Sequence, residues 1–350
     1  MMGGVIDWRT AERIAGFVAG APPADLGLSR RLPRLAAESE RRVVDYTGLT
    51  PAAPLPSPEA VNRQDWIAAN LASMRPVLDP LSERVGEGLG VLSAPVRLTT
   101  GMLLAAQIGT LTGYLAQRVL GQFDLTILDP TGPTRLLFVE PNLEQATRSL
   151  EADRDELLTW VAFHEVTHAV QFTAVPWLRA HVASMVRSLL DSVEVSVDPS
   201  RLLKLPSSQD LRALVEAVRQ GELITLVVGR ERRDVIDRMQ ATMAVIEGYA
   251  EHVMDAVGAD VLPSLGRLRE ALDRRRRLRH PVLKLLERLL GLELKMRQYE
   301  DGKRFCDAVV TEAGVQTLNR VWLSAENLPT PVELREPGTW IARVQVSAAA

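Results

Sequence analysis

Apolar residues recur every three to four positions along most of the chain, the spacing that places them on one face of an α-helix. Proline-rich breaks at 20–25 and 50–58 interrupt this pattern, and residues 192–209 are polar and irregular. The pattern predicts helices over residues 7–18, 29–46, 102–120, 160–172, 181–190, 211–220, 233–257, 262–279 and 282–310, and one that begins at Asn62 or Asp65. A chain of this kind is mainly helical.

Two short runs, 123–128 and 135–140, have the composition of extended strands and flank a turn at 129–133 that contains Pro130, Gly132 and Pro133. We expect this to be the only sheet in the chain. The predicted fold class is therefore mainly α, or α+β with one small sheet just before the helix at 160–172.

Small residues fall at four-residue intervals at Gly101, Ala105, Gly109 and Gly113. They form one smooth helix face on which another helix backbone can approach closely. Such a face could also line a tunnel or touch a membrane. Because Gln107 shares the segment, we favour tight packing within a helical lobe.

The composition changes near Gly121, where the predicted strands begin. We therefore divide the chain into an N-terminal helical lobe at 1–121 and a second region at 122–345, which together form one compact unit. Trp340 is expected to anchor the proline- and glutamate-rich tail on the body, and Gly291 and Gly302 to interrupt the last long helix.

The bulk composition favours a soluble cytoplasmic protein. A net charge of −3 over 350 residues gives no electrostatic reason to expect nucleic acid or an anionic membrane as the partner. The single cysteine, Cys306, cannot form an internal disulfide, which suits a reducing compartment. Charged residues within the first twenty positions argue against a signal peptide.

The run WVAFHEVTHAVQF at 160–172 contains the most specific motif in the chain. Residues i and i+4 share a helix face, so His164 and His168 can bind one metal ion. Glu165 lies about 100° round the helix from His164, beside the ion. This is the arrangement of zinc hydrolases in which the glutamate is the general base. The alternative is a pair of core histidines.

A catalytic zinc ion takes three protein ligands and leaves a fourth position for water. Because Cys306 is the only cysteine, the third ligand must be a histidine or a carboxylate. His181, His252 and His280 are the remaining histidines. The metzincin pattern would require a histidine at position 174, which is Ala174.

The best-placed carboxylates are Glu247 and Glu251, which are i and i+4 on the helix 233–257 among apolar neighbours. Two acids are costly to bury there unless a cation accompanies them. We assign Glu247 as the third ligand, because Gly248 beside it leaves room for another helix or an ion. Glu251 would accept the N–H of one zinc-bound histidine. The alternative is an exposed acidic face, and His252 is the rival ligand.

In this hypothesis one Zn²⁺ per chain lowers the pKa of its bound water, Glu165 takes the proton, and a peptide or amide bond is cleaved. The oxyanion also needs a hydrogen-bond donor. Tyr249, His252 and Tyr299 are candidates, although each suits a structural role better.

Four runs in this chain, FHEVTHAVQFTAVPWL, IEGYAEHVMDAVG, GLELKMRQYEDGKRF and NLPT, resemble the actinobacterial type 2 zincin-like metallopeptidases. The runs look especially like the branch that is labelled as associated with biosynthesis of the deazaflavin coenzyme F-420. The resemblance implies a mostly helical zincin fold with a gluzincin-type site made by His164, His168 and Glu247, with Glu165 as base. It also implies that a peptide binds along an edge strand, for which 135–140 is the matching segment.

Three functional hypotheses follow. The leading one is a zinc-dependent peptidase with an unknown peptide or amide substrate. The second is a binding or scaffold protein that keeps the fold but has little activity. The third, suggested by the resemblance alone, is an amide hydrolase acting on an intermediate of deazaflavin coenzyme metabolism.

Overall fold

The structure is a computed structural model that describes residues 6–20, 27–88, 94–125, 132–191, 233–277 and 292–349. The predicted irregular stretch at 192–209, the predicted helix at 211–220, most of the predicted turn at 129–133, Gly291 and the candidate ligand His280 lie outside these residues, as does the side chain of Tyr299.

Helices make up most of the described chain, which confirms the predicted fold class. They are α1 (Trp8–Ala19), α2 (Leu32–Thr47), α3 (Arg63–Gly88), α4 (Ala94–Ala116), α5 (Glu140–Leu150), α6 (Arg154–Ala174), α7 (Pro176–Asp191), α8 (Arg233–Gly258), α9 (Leu265–Arg277), α10 (Leu292–Ala313), α11 (Val315–Leu318), α12 (Pro331–Arg335) and α13 (Pro337–Ala349). Within the described ranges, none of the helices is both long and apolar enough to cross a bilayer.

Local chemistry explains where several of these helices begin. The side chain of Asp7 accepts the N–H groups of Arg9 and Thr10 at the start of α1. Asp153 accepts two backbone N–H groups in the same way at the start of α6, in which acidic residues occupy the first turn. Such caps satisfy donors that have no partner inside the helix. Pro176 is the first residue of α7, where its missing N–H costs nothing.

In the part of the chain that the structure describes, the sheet has three strands, β1 (Pro58–Val61), β2 (Gly121–Leu125) and β3 (Thr134–Val139), in the order β1-β3-β2. β3 is central, parallel to β1 and antiparallel to β2. One small sheet was predicted and one is found among the described residues, but the prediction that all its strands follow residue 121 is wrong, because β1 comes from the proline-rich part of the N-terminal region. Pro58 lacks an N–H, but it is the first residue of an edge strand, a position that tolerates proline.

The small-residue face of α4 packs against α1, as the spacing predicted. A Cβ atom added at Gly109 would lie 2.4 Å from the carbonyl oxygen of Ala11, and one added at Gly113 would lie 2.4 Å from that of Ala15. Ala105 on the same face is fully buried. The two backbones therefore touch, and any larger side chain would separate them.

A second close crossing joins α8 to α10. A Cβ atom at Gly248 would lie 2.2 Å from the carbonyl carbon of Gly302, and one at Gly302 would lie 1.9 Å from the carbonyl oxygen of Ala244. The prediction that Gly302 interrupts its helix is wrong, since it lies within α10. Its helix penalty of about 1 kcal/mol is offset by the close helix contact that it allows.

The main core surrounds α6, which is buried on nearly every side. This core includes Val43 of α2, Leu136 of β3 and Val245 of α8. It therefore draws on both sides of residue 121, and the predicted division there stays a prediction. Trp340 is fully buried, stacks edge-on against Phe305 at 5.2 Å between ring centroids, and so anchors the tail.

Candidate metal centre

Two imidazoles meet on one face of α6. The rings of His164 and His168 are perpendicular, with centroids 4.7 Å apart, and their Nε2 atoms are separated by 3.3 Å. This follows from their i, i+4 spacing on a regular helix. Because α6 is fixed by the core around it, the position of this face is fixed as well.

Helix α8 supplies a carboxylate to the same point. Oε2 of Glu247 lies 3.7 Å from Nε2 of His164 and 3.6 Å from Nε2 of His168. Among the His, Cys, Asp and Glu side chains that the structure describes, these three form a group whose ligand atoms lie within 4.8 Å of one another. We call them the ligand group. The structure thus brings together the three residues that the sequence analysis selected.

The geometry of the ligand group fits a zinc ion. With zinc–ligand bonds of about 2.0–2.1 Å and tetrahedral angles, neighbouring ligand atoms lie about 3.3–3.4 Å apart. The three separations observed are 3.3, 3.6 and 3.7 Å. Two imidazole nitrogens and one carboxylate oxygen are also a common donor set of catalytic zinc. The side chains of His164 and Glu247 are 21% and 27% exposed, so solvent can reach the site.

Glu165 lies on the neighbouring face of α6, against the sheet. Only 7% of its surface is exposed, and its Oε2 accepts the backbone N–H of Phe123 in β2 at 2.9 Å. Burial raises the pKa of Glu165 to about 7, while the ring of His168 and the Phe123 hydrogen bond oppose this change. A carboxylate with a pKa near neutrality is well matched to accepting and returning a proton.

Gly121 explains why β2 can come so close to this carboxylate. A Cβ atom at position 121 would lie 2.6 Å from Cγ and 3.0 Å from Oε1 of Glu165. Contacts below 3.0 Å force a shift in one partner. The absence of a side chain at Gly121 therefore permits the Phe123 N–H to hold Glu165 in place, a role that the sequence analysis did not find.

Gln171 is a further residue of the site that was not predicted from the sequence. Its Oε1 lies 3.0 Å from Nδ1 of His168, the ring nitrogen that faces away from the ligand group. Gln171 is i+3 from His168, so helix geometry alone could have indicated the contact. Glu251 was the residue predicted to hold a histidine N–H. In the structure the partner of His168 at Nδ1 is Gln171. The role of Glu251 stays a prediction.

The other candidates from the sequence are engaged elsewhere. His252 contacts the hydroxyl of Tyr46 through Nε2 and Oδ1 of Asp307 through Nδ1, each at 2.7 Å. The hydroxyl of Tyr249 donates to Oδ1 of Asn319. The ring of His181 packs edge-on against Trp177, at 5.6 Å between centroids. None of them belongs to the ligand group.

The predicted substrate strand also needs correction. Residues 135–140 were expected to form a free edge, but β3 is hydrogen-bonded to β1 on one side and to β2 on the other. A central strand has no free hydrogen-bonding edge. Among the described strands β2 lies at an edge of the sheet, and it is the strand that contacts Glu165.

Comparison with known proteins found a matching family and a similar solved structure. A family model described as zincin-like metallopeptidase matches residues 6–341. The chain belongs to this family. Its fold is similar to a crystal structure from Chloroflexus aurantiacus, described as that of a candidate hydrolase with a novel fold, with a TM-score of 0.73 and 34% identity. That match covers 97% of this chain and 99% of the other. No curated protein matches the chain.

Proposed function

We propose that this member of the zincin-like family is a zinc-dependent hydrolase that cleaves a peptide or amide bond. The observation that carries the proposal is the triangle formed by His164, His168 and Glu247, which is partly exposed to solvent and has a buried carboxylate next to it. Structural zinc sites use four protein ligands, whereas catalytic sites use three. The arrangement therefore supports catalysis over a purely structural metal.

A zinc ion in the ligand group would supply a Lewis acid and a water of lowered pKa. Glu165 then acts as the general base and returns the proton to the leaving nitrogen. The N–H of Phe123 keeps this carboxylate oriented, and burial keeps its proton affinity high. Both the orientation of Glu165 and its high proton affinity are therefore produced by residues of this chain.

We further propose that the substrate lies along β2, since this edge strand borders Glu165. Zincins resembling this chain are expected to use such an edge, and β2 fits that expectation where β3 does not. The gluzincin class, the cytoplasmic location, the preference for peptide bonds and the actinobacterial F-420 branch stay predictions.

The first experiment measures how much zinc the purified protein binds. The purified chain should contain or take up about one equivalent, and His164→Ala should lose it. His181→Ala is the matched control, because His181 is a half-buried histidine outside the ligand group, and it should keep its zinc. A wild-type protein that cannot bind added zinc would refute the proposal.

The second experiment measures hydrolysis of a peptide library by the zinc-loaded protein. Glu165→Gln should bind zinc normally but lose activity by about 10²–10⁴-fold, the usual contribution of a general base. Glu12→Gln, which changes an exposed carboxylate on α1, should leave activity unchanged. Normal zinc binding with no hydrolysis in the wild type would favour the binding-protein hypothesis instead.

A further inference from the structure

Gln171 is fully buried and connects the two helices that carry the ligand group. At one end of its side chain, Oε1 lies 3.0 Å from Nδ1 of His168 on α6. At the other end, Nε2 donates to the backbone carbonyl of Ile246 on α8 at 3.2 Å. Ile246 directly precedes Glu247, so one amide contacts both sides of the site.

The carbonyl of Ile246 determines the orientation of the Gln171 side-chain amide. A carbonyl oxygen only accepts hydrogen bonds, so the end of Gln171 that faces it must be the NH₂ group. The reversed amide would place two acceptors against each other in a buried position, at a cost of about 1–3 kcal/mol. The Oε1 atom must therefore face His168.

The orientation of the amide in turn determines the tautomer of His168. Oε1 can only accept, so the neutral ring must carry its proton on Nδ1 and donate it. Nε2 then has a free lone pair, and Nε2 is the atom that faces the ligand group. A backbone carbonyl on α8 thus prepares a histidine on α6 to bind a metal.

We propose that Gln171 is a positioning residue that holds His168 in the metal-binding tautomer and fixes α6 against α8 at Glu247. This inference rests on the proposed zinc site. In this role Gln171 assembles the ligand group before any metal arrives, which lowers the cost of ordering the ligands upon binding.

The first test is zinc affinity, measured by competition with a chelator. Gln171→Met keeps the length of the side chain but removes both hydrogen bonds, and we expect it to weaken zinc binding by about 10–100-fold, as is typical for partners of metal ligands. Thr167→Val is the matched control. It removes another buried hydrogen bond of α6, from Thr167 to the carbonyl of Phe163, and should change the affinity by less than about twofold.

The second test reads the tautomer directly, in metal-free protein at alkaline pH, where imidazoles are neutral. Long-range ¹H–¹⁵N spectra, with the His168 signals assigned by their loss in His168→Ala, should show the wild-type proton on Nδ1. Gln171→Glu keeps the acceptor for His168 but loses the donor to Ile246, so it should preserve this tautomer with a smaller loss of zinc affinity than Gln171→Met. Gln171→Met should shift the population toward the Nε2-protonated form.

These outcomes separate the inference from the proposed function. If wild-type protein binds no zinc, the proposed function fails, while the tautomer measurement still tests Gln171. If zinc binds but Gln171→Met matches the wild type in affinity or tautomer, the positioning role is refuted. Should Gln171→Met not fold, the tautomer of Gln171→Glu decides, since a proton on Nε2 there would also refute it.

Discussion

Helix α8 contributes to two polar groups that lie five residues apart. One is the ligand group, to which it contributes Glu247. The other, which we call the His252 network, consists of Tyr46, His252 and Asp307. Each of the two groups joins α8 to one or more other helices, and each contains histidine and a carboxylate.

The ligand group and the His252 network differ in the distances between their polar atoms. Both contacts of His252 are 2.7 Å, the length of a strong hydrogen bond, so its two ring nitrogens are satisfied by protein atoms. A carboxylate can only accept, so Nδ1–H of His252 donates to Asp307. The Nε2 atoms and Oε2 of the ligand group stand 3.3–3.7 Å apart around a common point. The first pattern is that of a structural histidine, and the second is that of ligands arranged for an ion.

The largest effect should come from Glu247→Gln, which preserves size but removes the charged ligand. We expect zinc affinity to fall by more than about 100-fold, beyond what the loss of an outer partner causes. Because no hydrogen bond of the His252 network changes, the melting temperature of the metal-free protein should stay close to that of the wild type. Chelator competition and thermal unfolding measure the two quantities.

His252→Leu should have the opposite profile. It leaves Tyr46 and Asp307 without their shared partner, at a cost of about 1–3 kcal/mol in the free energy of unfolding. Zinc affinity should not change, since His252 lies outside the ligand group. Urea unfolding of the metal-free protein tests the first statement. A loss of zinc comparable to that in Glu247→Gln would show that the two groups are not independent.

The smallest effect concerns acid stability. Burial tends to raise the pKa of Asp307, but hydrogen bonds from His252 and Lys303 outweigh it and hold this pKa below the ordinary value of 3.8. A carboxyl whose pKa is lowered by folding stabilises the protein above its unfolded pKa, and this contribution disappears as the pH falls through the folded value. Asp307→Asn should therefore flatten the loss of stability below a pH of about 4. Glu12→Gln, outside the network, should retain the wild-type curve.

Much of the site could be predicted because its spacing is local. His164, Glu165 and His168 follow from one helix period, and their separation along α6 needs no tertiary information. Glu247 could be selected because a carboxylate among apolar neighbours on a helix is costly to bury unless a cation accompanies it. Gln171 obeys the same local rule, i+3 from His168, but a glutamine carries no charge that would mark it as unusual.

The features of the fold that were not predicted, or were predicted wrongly, depend on contacts between residues far apart in the chain. β1 was overlooked because a proline-rich segment has no alternating pattern, and only pairing with β3 makes it a strand. The position of β3 in the centre of the sheet depended on that same pairing. Gly302 was predicted to interrupt its helix because glycine has a low helix propensity. Its close contacts with Ala244 and Gly248 explain why a glycine lies inside α10.

The sequence alone determined a helical chain with two histidines and a glutamate on one helix and a carboxylate on another, since helix periodicity is a property of neighbouring residues. Only the tertiary structure brought Glu247 to the two histidines, and only it showed that β2 holds Glu165 and that Gln171 joins the two helices. These facts depend on how helices cross and strands pair, which is set by the packing of side chains far apart in the chain.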